Sequence, residues 1–369
     1  MMLKNCATAA GTTAYANRFP QLAGNYRSML GMATSSVGLG TYLGEHDEKT
    51  DIQYESAIKV ALLSGINLID TAVNYRFQRS ERCIGHVLGE LTGSGELKRE
   101  EIVIASKGGY ITFDGAIPAD PRAWFEEHFV APGIIGPGEL VEGSHCMTPR
   151  YLDHMLSMSL ANLGLDMIDI YYLHNPEAQL AAIGRDEFLT RIRLAFEFLE
   201  TKATEGKIGA YGVATWNGFR VDPKDQSYLS IAELTAIANE VAGADHHFKV
   251  IQMPYNLAMP EALTIMNQAM PDNGEGSPLA AARALNLTVC ASASLMQGRL
   301  AAGLPPIVGE ALVGLHNDAQ RAIQFVRSTP GINAALVGMK TIGHVREALA
   351  IAGRAPASFE SLMKLFKPA

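Results

Sequence analysis

Paired cysteines are absent from this chain. The four it carries among 369 residues, Cys6, Cys83, Cys146 and Cys290, stand far apart with no C-x-x-C spacing. That pattern excludes a disulfide framework or a zinc ribbon and makes the reducing cytoplasm the expected compartment. A concentrated basic face is missing too: the net charge is −8, which argues against nucleic acid as the main partner, since phosphate binding needs clustered cations. No run approaches the roughly 20 apolar residues that span a bilayer, and the first thirty residues lack the apolar core of a secretion signal. A soluble protein with no membrane partner is expected. His128, His145 and His154 near Cys146, and the pair His246 and His247, are ligand types without the short spacing of a metal site. No metal is therefore expected, and the pair, following Asp245, reads as an exposed loop. No linker rich in Pro, Gly and Ser divides the chain, so 1–369 reads as a single domain.

What is present is an alternation. Hydrophobic content of 48% against 18% charged residues is enough to bury a large core. Eight apolar runs read as strands buried on both faces, at 37–42, 67–72, 102–107, 168–174, 208–215, 250–256, 287–294 and 334–339. Segments of helical period separate them. The stretch 51–64 ends at Gly65, Ser80 reads as the cap of a helix carrying Ile84, Val87 and Leu88, and Thr148 with Pro149 opens a helix that stops at Gly164. A doubly wound open sheet also alternates, but eight strands and this length favour an α/β fold of the (β/α)8 TIM-barrel type. Two stretches fall outside the repeat. The N-terminal extension 1–36 is either a hairpin plugging the barrel floor or a partly ordered arm. A long insertion after strand 3, 108–148, is dense in Pro and Gly and reads as a cap loop over the substrate side.

Four residues stand at or just past strand ends, where active sites of such barrels gather: Asp70, Tyr75, Lys107 and His174. Each alone has an ordinary reading: a turn cap, a half-buried core aromatic, a solvated strand end and a histidine satisfied by backbone. Together a carboxylate, a phenol, an ammonium and an imidazole form a proton-donating device. Tyr42, Phe77, Tyr110, Trp124 and Trp216 suggest an aromatic-lined, fairly apolar substrate pocket.

The segments DTAVNYRFQRSERCIGHVL, IVIASK and SLANLGLDMIDIYYLHNPE, followed by GVATW, IQMPYN, LMQGRL and GMKTIGHVREAL, resemble the aldo-keto reductases from about Ser36 to Gly353. The resemblance implies an NAD(P)H-dependent oxidoreductase in which hydride passes to the carbonyl carbon of a small aldehyde or ketone while Tyr75 protonates the oxygen. It also implies that Lys107 lowers the phenol pKa, that Asp70 holds Lys107, and that His174 donates to the carbonyl oxygen. NADP is the implied cofactor, with NAD as a further possibility. Its implied contacts are Gly40 and Thr41 on strand 1, Thr215 and Gln252 on strands 5 and 6, Ser294, Leu295 and Gln297 at and after the end of strand 7, and Gly338, Met339, Lys340, Thr341, His344 and Glu347 at and after strand 8. Departures are visible. Where the family commonly has Ser-Asn on strand 5 this chain has Ala214 and Thr215, the stacking aromatic of strand 7 is Ser292, and the late Glu-Asn is Glu347 and Ala348. The altered nicotinamide contacts keep a second class open, a cofactor-binding redox sensor or regulatory subunit with little turnover. A third is a Schiff-base aldolase using Lys107. The oligomeric state is not legible.

Overall fold

The computed structural model describes residues 6–366. Eight parallel strands close a barrel: β1 (Val37–Gly40), β2 (Leu68–Asp70), β3 (Val103–Gly108), β4 (Ile168–His174), β5 (Ile208–Ala214), β6 (Phe248–Pro254), β7 (Thr288–Ser292) and β8 (Ala334–Gly338). They pair in chain order, and β8 closes on β1 through the register Ala335↔Val37 to Gly338↔Gly40. The period-2 geometry of a strand sends alternate residues to opposite faces. Leu68, Val103, Ile170, Tyr172, Val250 and Leu336 accordingly fill the barrel, whereas Ile69, Ile104, Tyr171, Val213, Ile251 and Val337 face the helices. Both faces are buried, which is why the runs read as continuously apolar.

The longer helices between strands are α1 (Glu48–Leu63), α2 (Arg79–Gly93), α3 (Pro149–Leu163), α4 (Arg185–Thr204), α5 (Ile231–Ala242), α6 (Pro278–Ala284), α7 (Asp318–Ser328) and, after β8, α8 (Ile342–Ala352). α1 starts earlier than its apolar period suggests, because the Asp47 carboxylate caps it by accepting from the Thr50 amide at 2.8 Å. Ser80 does not cap α2: the N-cap position is Gln78, and the Ser80 hydroxyl instead donates to Thr41 O at 2.8 Å, tying α2 to the loop after β1. Long-range placement, which no local pattern reports, decides that hydroxyl. His246 is likewise buried rather than exposed.

Beneath the barrel, strands Tyr26–Met29 and Met32–Ser35 form an antiparallel hairpin. Met29 and Met32 join the interior cluster, so the hairpin stops the lower end. The insertion 108–148 leaves and returns through one short antiparallel contact, with Ile111 N donating to Ser144 O and Cys146 N to Gly109 O, both at 2.9 Å. Its Phe129 is fully buried against Tyr151 and His154 of α3. Among the described residues no helix is long and apolar enough to cross a membrane.

Candidate active site

The C-terminal ends of the strands surround a cavity of about 800 Å³ whose wall runs from Tyr75 and His174 to Lys340 and His344. Lys107 sits at its base with no exposed surface. Its ammonium donates to Asp70 Oδ1 at 2.6 Å, to Thr71 O at 2.8 Å and to the Tyr75 hydroxyl at 3.4 Å. Gln252 Nε2 donates to the other Asp70 oxygen at 2.7 Å. Each carboxylate oxygen thus has a partner, the condition under which a buried ion pair is tolerated. The His174 ring meets the Tyr75 ring edge-on, with centroids 6.0 Å apart. The four strand-end groups therefore share one rim.

The electrostatics differ in one respect from expectation. Lys107 does draw the Tyr75 phenol down, but burial outweighs it and the net displacement is upward. The phenol stays protonated through neutral pH. For Lys107 burial is again the largest influence and would lower the ammonium, but Asp70 and Tyr75 together reverse it, leaving Lys107 raised. His174 is held well below the ordinary imidazole value by burial, then by Lys107 and His145, so the ring is neutral.

Most of the other sequence-derived candidates reach the cavity wall. Gly40, Thr41 and Tyr42 lie after β1, Ser294, Leu295 and Gln297 after β7, and Gly338, Lys340, His344 and Glu347 beyond β8. Tyr110 and Trp216 line the mouth, and among the described residues Tyr110 is the member of 108–148 that does so. Phe77 and Trp124 are off the wall, each packed on Phe113. Met339 is buried outside the barrel, and Thr341 caps α8 by accepting from His344 N at 3.3 Å. Thr215 is on the wall with its hydroxyl already engaged. It donates to Glu177 Oε1 at 2.5 Å and accepts from Gly218 N at 2.8 Å.

The backbone conformation after Tyr75 and the place of Glu177 escaped the sequence reading. Arg76, Phe77 and Gln78, directly after Tyr75, all adopt left-handed backbone, with φ of 50°, 53° and 72°. Non-glycine residues there are strained by of order 1–3 kcal/mol each and persist only when surroundings hold them. The buried Arg76 guanidinium does so, donating to Glu45 O at 2.7 Å and pairing with Asp51, while Gln78 Nε2 donates to Phe113 O at 2.9 Å. Glu177, buried and raised by desolvation against the hydrogen bonds it accepts, fixes the loop after β5 through Thr215 and the amides of Trp216 and Asn217. In the sequence, the Pro-Glu after His174 is the one hint of that role.

A family model described as the aldo/keto reductase family matches residues 36–273. Similar curated proteins include an NADH-specific methylglyoxal reductase of Escherichia coli, 28% identical over 57% of this chain and 54% of that protein. The aldo-keto reductase YhdN of Bacillus subtilis is 27% identical over 62% of this chain and 50% of its own. The chain thus spans about half the length of the curated relatives it matches. Among solved structures, an aldo/keto reductase from Klebsiella pneumoniae in complex with NADP and acetate superposes with a TM-score of 0.61 at 22% identity, covering 93% of this chain and 94% of that one. The glycerol dehydrogenase AKR11B4 from Gluconobacter oxydans gives 0.64 at 20% identity over 93% and 94%. At such identity the likeness concerns the fold.

Proposed function

The chain belongs to the aldo/keto reductase family, and from that premise we propose that it is an oxidoreductase reducing an aldehyde or ketone to an alcohol, with NADPH as hydride donor and Tyr75 as general acid. The observation that carries this is the contact of the Tyr75 hydroxyl with an ammonium that is itself clamped by Asp70 and Thr71 O. A phenol kept protonated by burial has a proton to give, and the adjacent cation stabilises the phenolate left behind. The neutral His174 ring, at the same rim, supplies a donor where the carbonyl oxygen gains charge.

The residues present fit a dinucleotide. Lys340 and the capped start of α8 offer an ammonium and helix N–H groups to a phosphate. His344 and Glu347 flank the adenosine end, while Gly40, Thr41, Gln252, Ser294, Leu295, Gln297 and Gly338 line the rest of its path. When bound, a reduced nicotinamide supplies the hydride that reaches the carbonyl carbon. Every further step belongs to the chain: Gln252 holds Asp70, Asp70 holds Lys107, Lys107 holds Tyr75, and the Tyr75 proton completes the alcohol. Tyr42, Tyr110 and Trp216 give the mouth an aromatic lining suited to an uncharged carbonyl compound. In this reading 1–369 works as one barrel domain, with 108–148 contributing Tyr110.

One observation favours a second reading. The Thr215 hydroxyl is engaged by Glu177 and Gly218, which leaves β5 short of side-chain donors for a carboxamide and would suit a cofactor-binding sensor with little turnover. One experiment separates the two: absorbance of the reduced nicotinamide followed with a panel including methylglyoxal and an aromatic aldehyde, using NADPH and NADH in parallel, beside a fluorescence titration of cofactor binding. Turnover with NADPH is expected, and Tyr75→Phe should lower it by about 10²-fold or more with binding retained. Activity surviving that change removes Tyr75 as the acid, and tight binding without turnover across the panel supports the sensor.

A further inference from the structure

We propose that His145, in the inserted segment and outside the tetrad, is a positioning residue that fixes His174 through its backbone carbonyl. The inference rests on the role just given to His174. The returning foot of the insertion runs antiparallel to residues 109–111 and delivers His145 to the back of the β4 end. There His145 Nε2 lies 2.7 Å from His174 O and its Nδ1 lies 2.9 Å from Gln179 Nε2. Chemistry assigns the tautomer. A carbonyl oxygen only accepts, so Nε2 carries the hydrogen, and an amide nitrogen only donates, so Nδ1 is bare. The Gln179 amide is itself oriented, because Arg191 Nη1 donates to its Oε1 at 2.7 Å and its Nε2 also donates to His145 O at 3.0 Å. A chain of donors thus runs Arg191, Gln179, His145 and ends on the carbonyl of His174.

That carbonyl matters because, apart from the β4–β5 ladder, which pairs His174 with Ala214 in register, the residue has no side-chain hydrogen bond among the described residues to fix it. His174 Nδ1 is buried without a partner, and the ring is flanked edge-on by Tyr75 and Tyr110. Its place is therefore set by the backbone that carries it and by those aromatic edges. Tyr110 also meets His145 edge-on, with centroids 5.1 Å apart, so one ring braces both imidazoles. The contact is made possible by Gly109, where an added Cβ would stand 2.8 Å from both His145 Nε2 and His174 O. Burial holds the His145 imidazole down at about 4, so the bonds stay formed at neutral pH.

Two conservative variants divide the role. In His145→Gln the amide nitrogen takes the place of imidazole Nε2 and keeps the donor to His174 O. In His145→Asn the amide oxygen takes the place of Nδ1, keeping the acceptor for Gln179 and losing the donor. With NADPH and an aromatic aldehyde, kcat of His145→Gln should stay within about 5-fold of the parent, while His145→Asn should lose about 10- to 100-fold, as misplacing a reacting group by about 1 Å does. The KM for NADPH should change by less than about 2-fold in both. Equal losses in the two variants, or parental kcat in His145→Asn, would overturn the proposal. If the parent itself turns over no carbonyl, the functional reading fails instead. Crystal structures of the variants then decide the positioning: His174 unmoved with Gln and shifted by about 1 Å or more with Asn supports it, and His174 unmoved in both refutes it.

Discussion

Lys107 has no exposed surface yet carries a charge, and such a group survives inside a barrel only because Asp70, Thr71 O and Tyr75 surround it. Its pairing with Asp70 agrees with what the family resemblance implied, whereas its place at a strand end, taken alone, reads as a solvated lysine. His145 was not legible. Its neighbours His174 and Gln179 are 29 and 34 residues away, and a single histidine in a Pro- and Gly-rich stretch carries no spacing signal. Its burial has a measurable consequence. The folded value near 4 lies below the ordinary 6.5 because burial disfavours the cation. Between those limits the unfolded chain takes up a proton that the folded chain refuses, so the residue's contribution to stability is complete above about pH 6.5 and is lost as pH falls toward 4. The loss amounts to about 3 kcal/mol. Urea unfolding at pH 7 and pH 4 should show that decrement in the parent and a smaller one in His145→Gln. Equal decrements would mean that His145 takes up its proton alike in both states. His174 adds to the acid sensitivity of both proteins, and less so in His145→Gln, where the charge of His145 no longer opposes its protonation, so its change acts in the same direction.

Helix α2 shows how one substitution changes sign along a single element. At Gly85 an added Cβ would lie 2.4 Å from Asn162 O near the end of α3, so the glycine permits the two helices to touch. At Gly89, one turn on, nothing lies within 4 Å of such an atom. Gly85→Ala should cost about 1–3 kcal/mol through overpacking, and Gly89→Ala should raise stability by about 0.5–1 kcal/mol through helix propensity. Thermal melts of the two variants test this, and shifts of the same sign would refute it. The strands, helices and their order were readable because period and punctuation are local. The start of α2 was misread at Ser80, and the left-handed run 76–78 went unseen, because both depend on groups folded against them: Thr41 O for one, Glu45 O and Phe113 O for the other. Polar side chains in turns take whichever partner the tertiary structure offers.

The barrel has two unlike ends. At the mouth, backbone strain is concentrated: besides 76–78, Asn175, Ala293, Met296 and Gln297 all have positive φ, in loops that follow β2, β4 and β7. The floor is built for holding. Arg327, fully buried, donates to Ser36 Oγ at 3.0 Å, Gln324 Oε1 at 2.8 Å, Ile351 O at 3.2 Å, Arg354 O at 3.1 Å and Gly24 O at 3.1 Å. One guanidinium thus joins the N-terminal extension, the entry to β1, α7 and α8, and desolvation lowers it to about 10. Arg327→Met should cost about 3 kcal/mol or more by stranding those acceptors while leaving NADPH binding within about 2-fold; a large change in binding would contradict this division between floor and mouth. The insertion offers a different lesson. Phe113 and Phe129 tie the excursion to Gln78 and to α3, but at Gly133 an added Cβ would meet nothing within 4 Å, so length added at that turn is felt only as closure entropy, each doubling of the loop costing about 0.6 kcal/mol. A foreign peptide grafted at that turn would therefore be carried without disturbing the staves, whereas cutting the excursion down to its root would unseat Phe129 from α3.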